Sequence, residues 1–328
     1  MIKICKVNPI ILKTNELENL FLTNKKIVNK YGHLDNLNTI NRYKDLFLAS
    51  FIENDNELFI VENSSIILGI ITFTKSSDWN GKDRYKLTIS LCGSIIDESI
   101  LNPINQLIQN KLDKYGEIAV VSYNNELDEL IKKYVNKVNL RCNYYTLKKA
   151  DIDINLLNKY IKEYEVINKD LSIKFTDSIS EEYIEQYCEL FTETMKDMTD
   201  VKENGYEQYI ITPEKQRQIN NSFILRNISH YCYMIFNPRN EMVAKSNVSV
   251  NNTDPRFPYQ FMIGVKRGYR GRNLGKWLYA SMYKRLFENV DFEQVLVSHH
   301  PENKPAINIS EWIGYKFSYL ETTHTLYK

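Results

Sequence analysis

The chain has 328 residues, room for two domains of about 150 residues, each able to bury its own core. With 25% charged and 43% hydrophobic residues it has the composition of a folded globular protein, which excludes a disordered or fibrous chain. A net charge of +1 excludes a general electrostatic affinity for nucleic acid or anionic membranes, so any basic cluster needs a local explanation.

The N-terminal "MIKICKVNPIILK" has too short an apolar run for a signal peptide, and no apolar stretch of about 18 residues occurs. Cys5, Cys92, Cys142, Cys188 and Cys232 are odd in number, scattered and without a C-x-x-C pair, the usage of a reducing cytosol rather than of disulfides or zinc. The expectation is a cytoplasmic protein with no metal, no nucleic acid and no membrane partner, a monomer or homodimer.

In chain order, "ELFIVE", a turn at "NSS" and "IILGIITFTK" alternate as a β-hairpin, followed by a strand "YKLTISLCG" and a helical run "ILNPINQLIQNKL". "EIAVVSYNN" from Glu117 and "YTLKK" from Tyr145 close this half. Residues 148–169, "KKADIDINLLNKYIKEYEVINK", read as a polar helical connector, giving domains at 1–150 and 171–328 with a linker at 151–170. Beyond it, "SEEYIEQYCELFTETMKDM" is a helix with Ser180 as capping-box candidate, although Tyr183 stands where the box wants an acid. "TPEKQRQINNSFIL" is a second, with Thr212 as N-cap and Pro213 at the first helical position. "HYCYMIFN", a turn at "PRNE" and "MVAKSNVSV" repeat the hairpin, and "YQFMIGV" is the next strand.

The halves look alike. "EIAVVSYNN" matches "EQVLVSHHPEN" from Glu293, and "YTLKK" matches "HTLYK" at the end of the chain, both about 175 residues apart, as a duplicated domain requires.

After Val265 comes "KRGYRGRNLGK", with glycines at 268, 271 and 275. It runs into a helix whose apolar face is Leu274, Trp277, Leu278, Met282 and Leu286. Amides at such a helix start are free of intrahelical partners and the helix dipole favours an anion, so the loop suits a diphosphate, with Arg270, Arg272 and Lys276 adding charge. Trp277 after Lys276 breaks a Walker A loop, and the glycine spacing is not that of the dinucleotide fingerprint. A solvated basic loop capping a core helix is the other reading.

Arg270-Gly-Arg-Asn-Leu-Gly275 resembles motif A, Gln/Arg-x-x-Gly-x-Gly/Ala, of the GNAT superfamily of acyl-CoA-dependent N-acyltransferases, with Asn273 where the first glycine is usual. Asn tolerates the left-handed conformation that glycine supplies. Asn303, Ala306 and Gly314-Tyr315 resemble motif B, Asn-x-x-Ala with Gly-Phe eleven residues after the Asn. The resemblance covers about residues 172–328, with the first half following the same pattern, as in tandem-domain members such as mycothiol synthase.

The resemblance implies an α/β (α+β) protein of two tandem GNAT-like domains, each a mixed, mostly antiparallel central sheet flanked by helices. It implies transfer of an acetyl or longer acyl group from acyl-CoA to a primary amine of a small molecule or peptide. The coenzyme would be held by the main chain of Ile263, Gly264 and Val265, by the loop from Arg270 through Gly271, Arg272, Asn273, Leu274 and Gly275 to Lys276, and by Asn303 near its sulfur. Where the family's proton-donating Tyr is expected stands Ser310, and the strand "YQFMIGV" has no carboxylate to serve as base. His299 and His300 are alternative bases or structural residues, on opposite faces of their strand. Asp197 and Asp200 would attract an ammonium acceptor or simply sit in a solvated loop, and Tyr259 would line the cleft or the core. Between the corresponding strand and helix of the first half the chain reads "DESILNP", whose acids repel a diphosphate, so a single coenzyme site is expected, in the second half. A catalytically weak acyl-CoA sensor or interaction module is the alternative function.

Overall fold

The computed structural model describes residues 2–8, 11–31, 56–64, 66–77, 83–92, 97–123, 125–134, 136–197 and 210–328. The chain divides into two compact units, Met1–Cys142 with Tyr319–Lys328, and Asn143–Ser318.

The first unit runs β1 (Ile2–Val7), α1 (Thr14–Tyr31), β2 (Glu57–Asn63), β3 (Ile66–Ser77), β4 (Asp83–Leu91), α2 (Glu98–Tyr115), β5 (Glu117–Ser122) and α3 (Asn125–Ile131). β1 to β4 form an antiparallel meander, with the expected hairpin turning at Ser64 in a positive-φ conformation. α2 then returns the chain so that β5 lies parallel to β4. The apolar positions of α2, Ile104, Ile108 and Leu112, recur at helical spacing and pack on Leu87, Ile89 and Val120 of the sheet.

The second unit repeats this plan. It contains β6 (Asn136–Lys148) from Asn143 on, α4 (Ile154–Ile167), β7 (Ser172–Thr176), α5 (Ile184–Met195), α6 (Pro213–Leu225), β8 (Ile228–Phe236), β9 (Met242–Asn251), β10 (Tyr259–Val265), α7 (Leu274–Asn289), β11 (Gln294–His299) and α8 (Lys304–Ile313). β7 to β10 are antiparallel, and α7 brings β11 parallel to β10. Leu157 of α4, Tyr279, Tyr283 and Leu286 of α7 and Ile307 of α8 share one core cluster with Val295 and Val297 of β11. Ile184, Tyr187 and Leu190 of α5 pack with Cys232 and Met234 of β8 in another.

Two features depart from the sequence reading. The segments "YTLKK" and "HTLYK" are equivalent strands, but each completes the sheet of the other repeat. In β6, residues 143–148 pair with β11, while β12 (Lys316–Tyr327) pairs with β5 and places Leu326 in the first core. The units therefore do not break at 150 and 171, because alternation identifies a strand without showing which sheet edge it joins. The stretch expected as a polar connector is part of the second core: α4, capped by the Asp153 carboxylate on the Asn155 and Leu156 amides, buries Leu157 and Tyr164. α5 starts at Ile184, after a turn from Ser180, and Tyr183 makes no side-chain cap. Thr212 does cap α6, accepting from the Lys215 amide at 3.2 Å, with Pro213 following.

Candidate functional site

β10 and β11 pair at Tyr259↔Leu296 and Gln260↔Val297 and no further. Between Gln260 and Ile263 the register of β10 against β9 slips, and from Ile263 to Val265 β10 follows Ser246, Lys245 and Ala244 of β9. β11 meanwhile keeps to β6 as far as His299↔Asn143. A wedge therefore opens between β10 and β11, flanked by a main-chain edge at residues 261–265 that β11 does not pair with. Gly264 is required here: a Cβ would stand 2.9 Å from both Cγ2 and Oγ1 of Thr194 on α5. Ile263 and Val265 face the other way, onto Leu274, Trp277 and Leu278.

From the wedge the chain passes through a short 3-10 turn, Arg267–Tyr269, and two left-handed residues, Gly271 at φ +82° and Asn273 at φ 58°, ψ 21°. The first intrahelical bond of α7 runs from the Trp277 amide to the Asn273 carbonyl at 3.0 Å. The amides of Leu274, Gly275 and Lys276 precede that bond, and the Asn273 side chain caps none of them. Gly275 lets α7 lie close to α8, since a Cβ there would meet Ile309 Cδ1 at 2.8 Å. The equivalent helix of the first unit, α2, is closed by its own acid: Asp97 accepts from the Ser99 amide at 2.9 Å, and Glu98 follows in the first turn. Thus one helix start is filled with negative charge and the other presents bare amides.

The arginine side chains of this loop are engaged by the protein itself. Arg267 and Arg270 both donate to Asp197, and Arg270 Nε also donates to the Val265 carbonyl at 3.1 Å. The Arg267 hydrogen bond, opposed by partial burial and assisted by Arg270, holds the Asp197 carboxyl down at about 2. This corrects the expectation that Asp197 attracts an ammonium, because both of its oxygens serve loop arginines. Arg272 Nε donates to Asn168 Oδ1 at 3.1 Å and its terminal nitrogen to Asp170 at 2.5 Å, while Asn168 Nδ2 donates back to the Arg272 carbonyl at 3.3 Å. Lys276 Nζ lies 5.0 Å from the centre of the Trp312 ring. The buried Asn168 and its neighbour Asp170 thus fix the loop. Sequence reading missed both, and their one visible signal is an Asn just past the C-terminus of an apolar-striped helix.

At the mouth of β11, His299 is buried and its Nε2 lies 2.7 Å from Ser310 Oγ, itself wholly buried on α8. Two residues singled out separately in the sequence are therefore one hydrogen-bonded pair. Burial pushes His299 down to about 4, leaving it neutral at pH 7 but a weak base. His300, on the loop after β11, accepts from the Glu302 amide at 3.3 Å. Asn303 is the N-cap of α8, accepting from the Ala306 amide at 3.4 Å. Tyr259 Oη and Ser298 Oγ are 2.7 Å apart, a tie across the last paired rungs of β10 and β11. Asp200 lies outside the described residues. Among the described residues no group of three or more His, Cys, Asp or Glu is placed to hold a metal, and no helix is long and apolar enough to cross a membrane.

No family model and no curated protein matches the chain. Solved structures do. A tandem GNAT protein from the clavulanic acid biosynthesis pathway, solved without acetyl-CoA, aligns over 100% of this chain and 98% of its own with a TM-score of 0.65 at 10% identity. A GCN5-related N-acetyltransferase from Sphaerobacter thermophilus aligns over 99% of this chain and 95% of its own, TM-score 0.62, 9% identity. The GCN5-related glucosamine N-acetyltransferase region of a fungal multi-domain β-N-acetylglucosaminidase covers 99% of this chain and 38% of its own, TM-score 0.57, 11% identity. The chain has the tandem GNAT fold along its whole length.

Proposed function

We propose that the second unit binds acyl-CoA and transfers its acyl group to a primary amine. One observation carries the reading: the bare start of α7, shaped by left-handed Gly271 and Asn273, stands at the end of a strand that has parted from its parallel neighbour. An amide cluster on a helix dipole suits a diphosphate, and an unpaired strand edge suits an amide-bearing arm such as pantetheine. A tandem GNAT protein and a GCN5-related N-acetyltransferase, aligned over 100% and 99% of this chain, support the same assignment at the level of fold.

In this reading the main chain of residues 271–276 holds the diphosphate, and Arg270 and Arg272 act chiefly as struts, fixed by Asp197 and by Asn168 with Asp170. The edge at residues 263–265 lies along the pantetheine arm. In this reading the thioester carbonyl lies in the wedge, where a neutral amine attacks it: the C–N bond forms, charge develops on oxygen, the C–S bond breaks, the nitrogen gives up a proton and the departing thiolate takes one up. His299 and Ser310 are a neutral polar pair at that end of the wedge. Their roles are orientation and hydrogen bonding rather than deprotonation of an ammonium, because an imidazole held at about 4 is a poor base.

The same low basicity, with Asp197 taken up by arginines, favours a second reading as an acyl-CoA sensor without turnover. Two measurements decide. Calorimetric titration with acetyl-CoA is expected to show one site per chain, and acetyl-pantetheine, which lacks the diphosphate, is expected to bind far more weakly. Equal binding of the two overturns the site assignment. Thiol release across a panel of amines supports the enzyme; tight binding with no release from any of them supports the sensor.

A further inference from the structure

The β10 edge that β11 does not follow begins at Phe261, whose side chain is 43% exposed. A single exposed ring is ordinary, but this one belongs to a group. It meets Tyr259 edge-on at 5.0 Å between centres, and lies 6.3 Å from Phe223 of α6 and 6.0 Å from His230 of β8. Phe223 in turn stacks on His230 at 5.0 Å. Phe223 and Tyr259 are half-buried, and His230 forms the floor beneath them, 8% exposed. Side chains from a strand edge, a helix and an inner strand thus share one aromatic patch that opens to solvent at Phe261.

The floor of the patch carries no charge. Lys245 Nζ donates to Asn247 Oδ1 at 3.3 Å, which turns Asn247 Nδ2 to His230 Nε2, 2.7 Å away. His230 Nε2 therefore accepts, and its proton sits on Nδ1 facing Ser249 Oγ at 3.2 Å. Burial, with Lys245 nearby, pushes His230 down to about 3, so the imidazole is neutral at pH 7.

The patch is part of the wedge. The tie from Tyr259 Oη to Ser298 Oγ of β11 holds its first ring where the strands part, and Phe261 stands just beyond the last paired rung. Phe261 turns its ring towards α6 and β8, whereas Ile263 packs on the α7 side, a reversal produced by the register slip between Gln260 and Ile263. The bare start of α7 and the aromatic patch therefore lie on opposite faces of the sheet, with the wedge between them.

We propose that Phe261, Tyr259 and Phe223 form the acceptor's specificity subsite, and that the acceptor is a primary amine carrying an uncharged aromatic ring on a short arm, its ring on this patch and its nitrogen at the wedge. This rests on the acyl-transfer reading above and goes beyond it by naming the acceptor class and the residues that select it. The exposure of Phe261 assigns the patch to a body that arrives from solution, since a long acyl chain calls for an enclosed channel.

The test measures thiol release from acetyl-CoA with phenethylamine, ethylamine and cadaverine. Phenethylamine is expected to be favoured over each of the others by about tenfold or more in kcat/KM, the worth of seating one ring on an aromatic surface. In Phe261→Ala the preference over ethylamine falls towards parity through KM. In Phe261→Glu it turns towards cadaverine, a reversal that loss of a merely structural ring does not produce. Thermal unfolding reports whether the variants fold; should neither do so, Phe223→Ala carries the same expectation as Phe261→Ala. As an independent readout, phenethylamine without coenzyme is expected to raise the melting temperature of the wild type and not of Phe261→Ala. That difference supports the subsite even if acetyl-CoA fails to bind, so the two readings fail separately. No preference in the wild type, or a preference unchanged in Phe261→Ala, overturns the inference. So does a preference for octanoyl-CoA over acetyl-CoA that Phe261→Ala abolishes while the choice of amine is unaffected, because the rings then serve the acyl chain.

Discussion

Replacing Asn273 by Val tests the loop where its backbone is most constrained. At φ 58° and ψ 21° an L-residue costs about 1–2 kcal/mol, which Asn tolerates better than most and a β-branched side chain least of all. The Asn273 side chain makes no capping bond and is exposed, so little but backbone strain changes. The variant is therefore expected to lose about 1–2 kcal/mol, a fall in melting temperature of roughly 3–6 °C for a unit of this size. If the strain is relieved by rotating out of the left-handed region, the amides of residues 274–276 turn away from the space before α7. Loss of one charge-assisted contact to a diphosphate is worth about tenfold or more in affinity. Thermal denaturation and calorimetric titration with acetyl-CoA read the two effects, and Asn273→Gly, which accepts the same conformation, separates strain from side-chain loss. Full acetyl-CoA affinity in Asn273→Val, alongside the expected destabilisation, would refute the role given to this turn.

Other outcomes follow from particular contacts. Gly275→Val drives a side chain into Ile309, 2.8 Å from the Cβ position, and is expected to cost about 1–3 kcal/mol by chemical denaturation. Lys245 gives stability a pH dependence of known sign. Its folded value of about 7 lies below the unfolded value near 10.5, so the unfolded chain binds the extra proton between them and stability rises with pH across that window. The difference between wild type and Lys245→Met is expected to change by on the order of 3–5 kcal/mol from pH 7 to pH 10; a flat difference contradicts a buried, proton-releasing Lys245. Removing residues 319–328 takes β12 from β5 and Leu326 from the first core, and hydrogen exchange at β5 is expected to accelerate strongly, whereas unchanged protection there contradicts the strand exchange.

Much of this was legible in the sequence because it is local. Strand alternation gave β2, β3 and β10, the Thr212-Pro213 pair gave the start of α6, and a glycine-bearing basic stretch before an apolar-striped helix gave the α7 loop with its left-handed Asn273. The rest depends on partners far along the chain. β6 and β12 look alike and are alike, but their exchange is decided by which edge each reaches. Asn168 holds Arg272 from 104 residues away, and Asp197 takes Arg270 from 73, so the charges that seemed free for a ligand are largely engaged by the protein. Lys245 was hidden for a different reason: in "MVAKSNVSV" it stands in a strand pattern that says nothing of the aromatic rings of α5 above it.

A crystal structure with acetyl-CoA tests the central claim most directly. The predicted result is diphosphate oxygens within about 2.7–3.2 Å of main-chain nitrogens in residues 271–276, with the arm along residues 263–265. A coenzyme held elsewhere on the chain, or a helix start still bare beside it, contradicts the account.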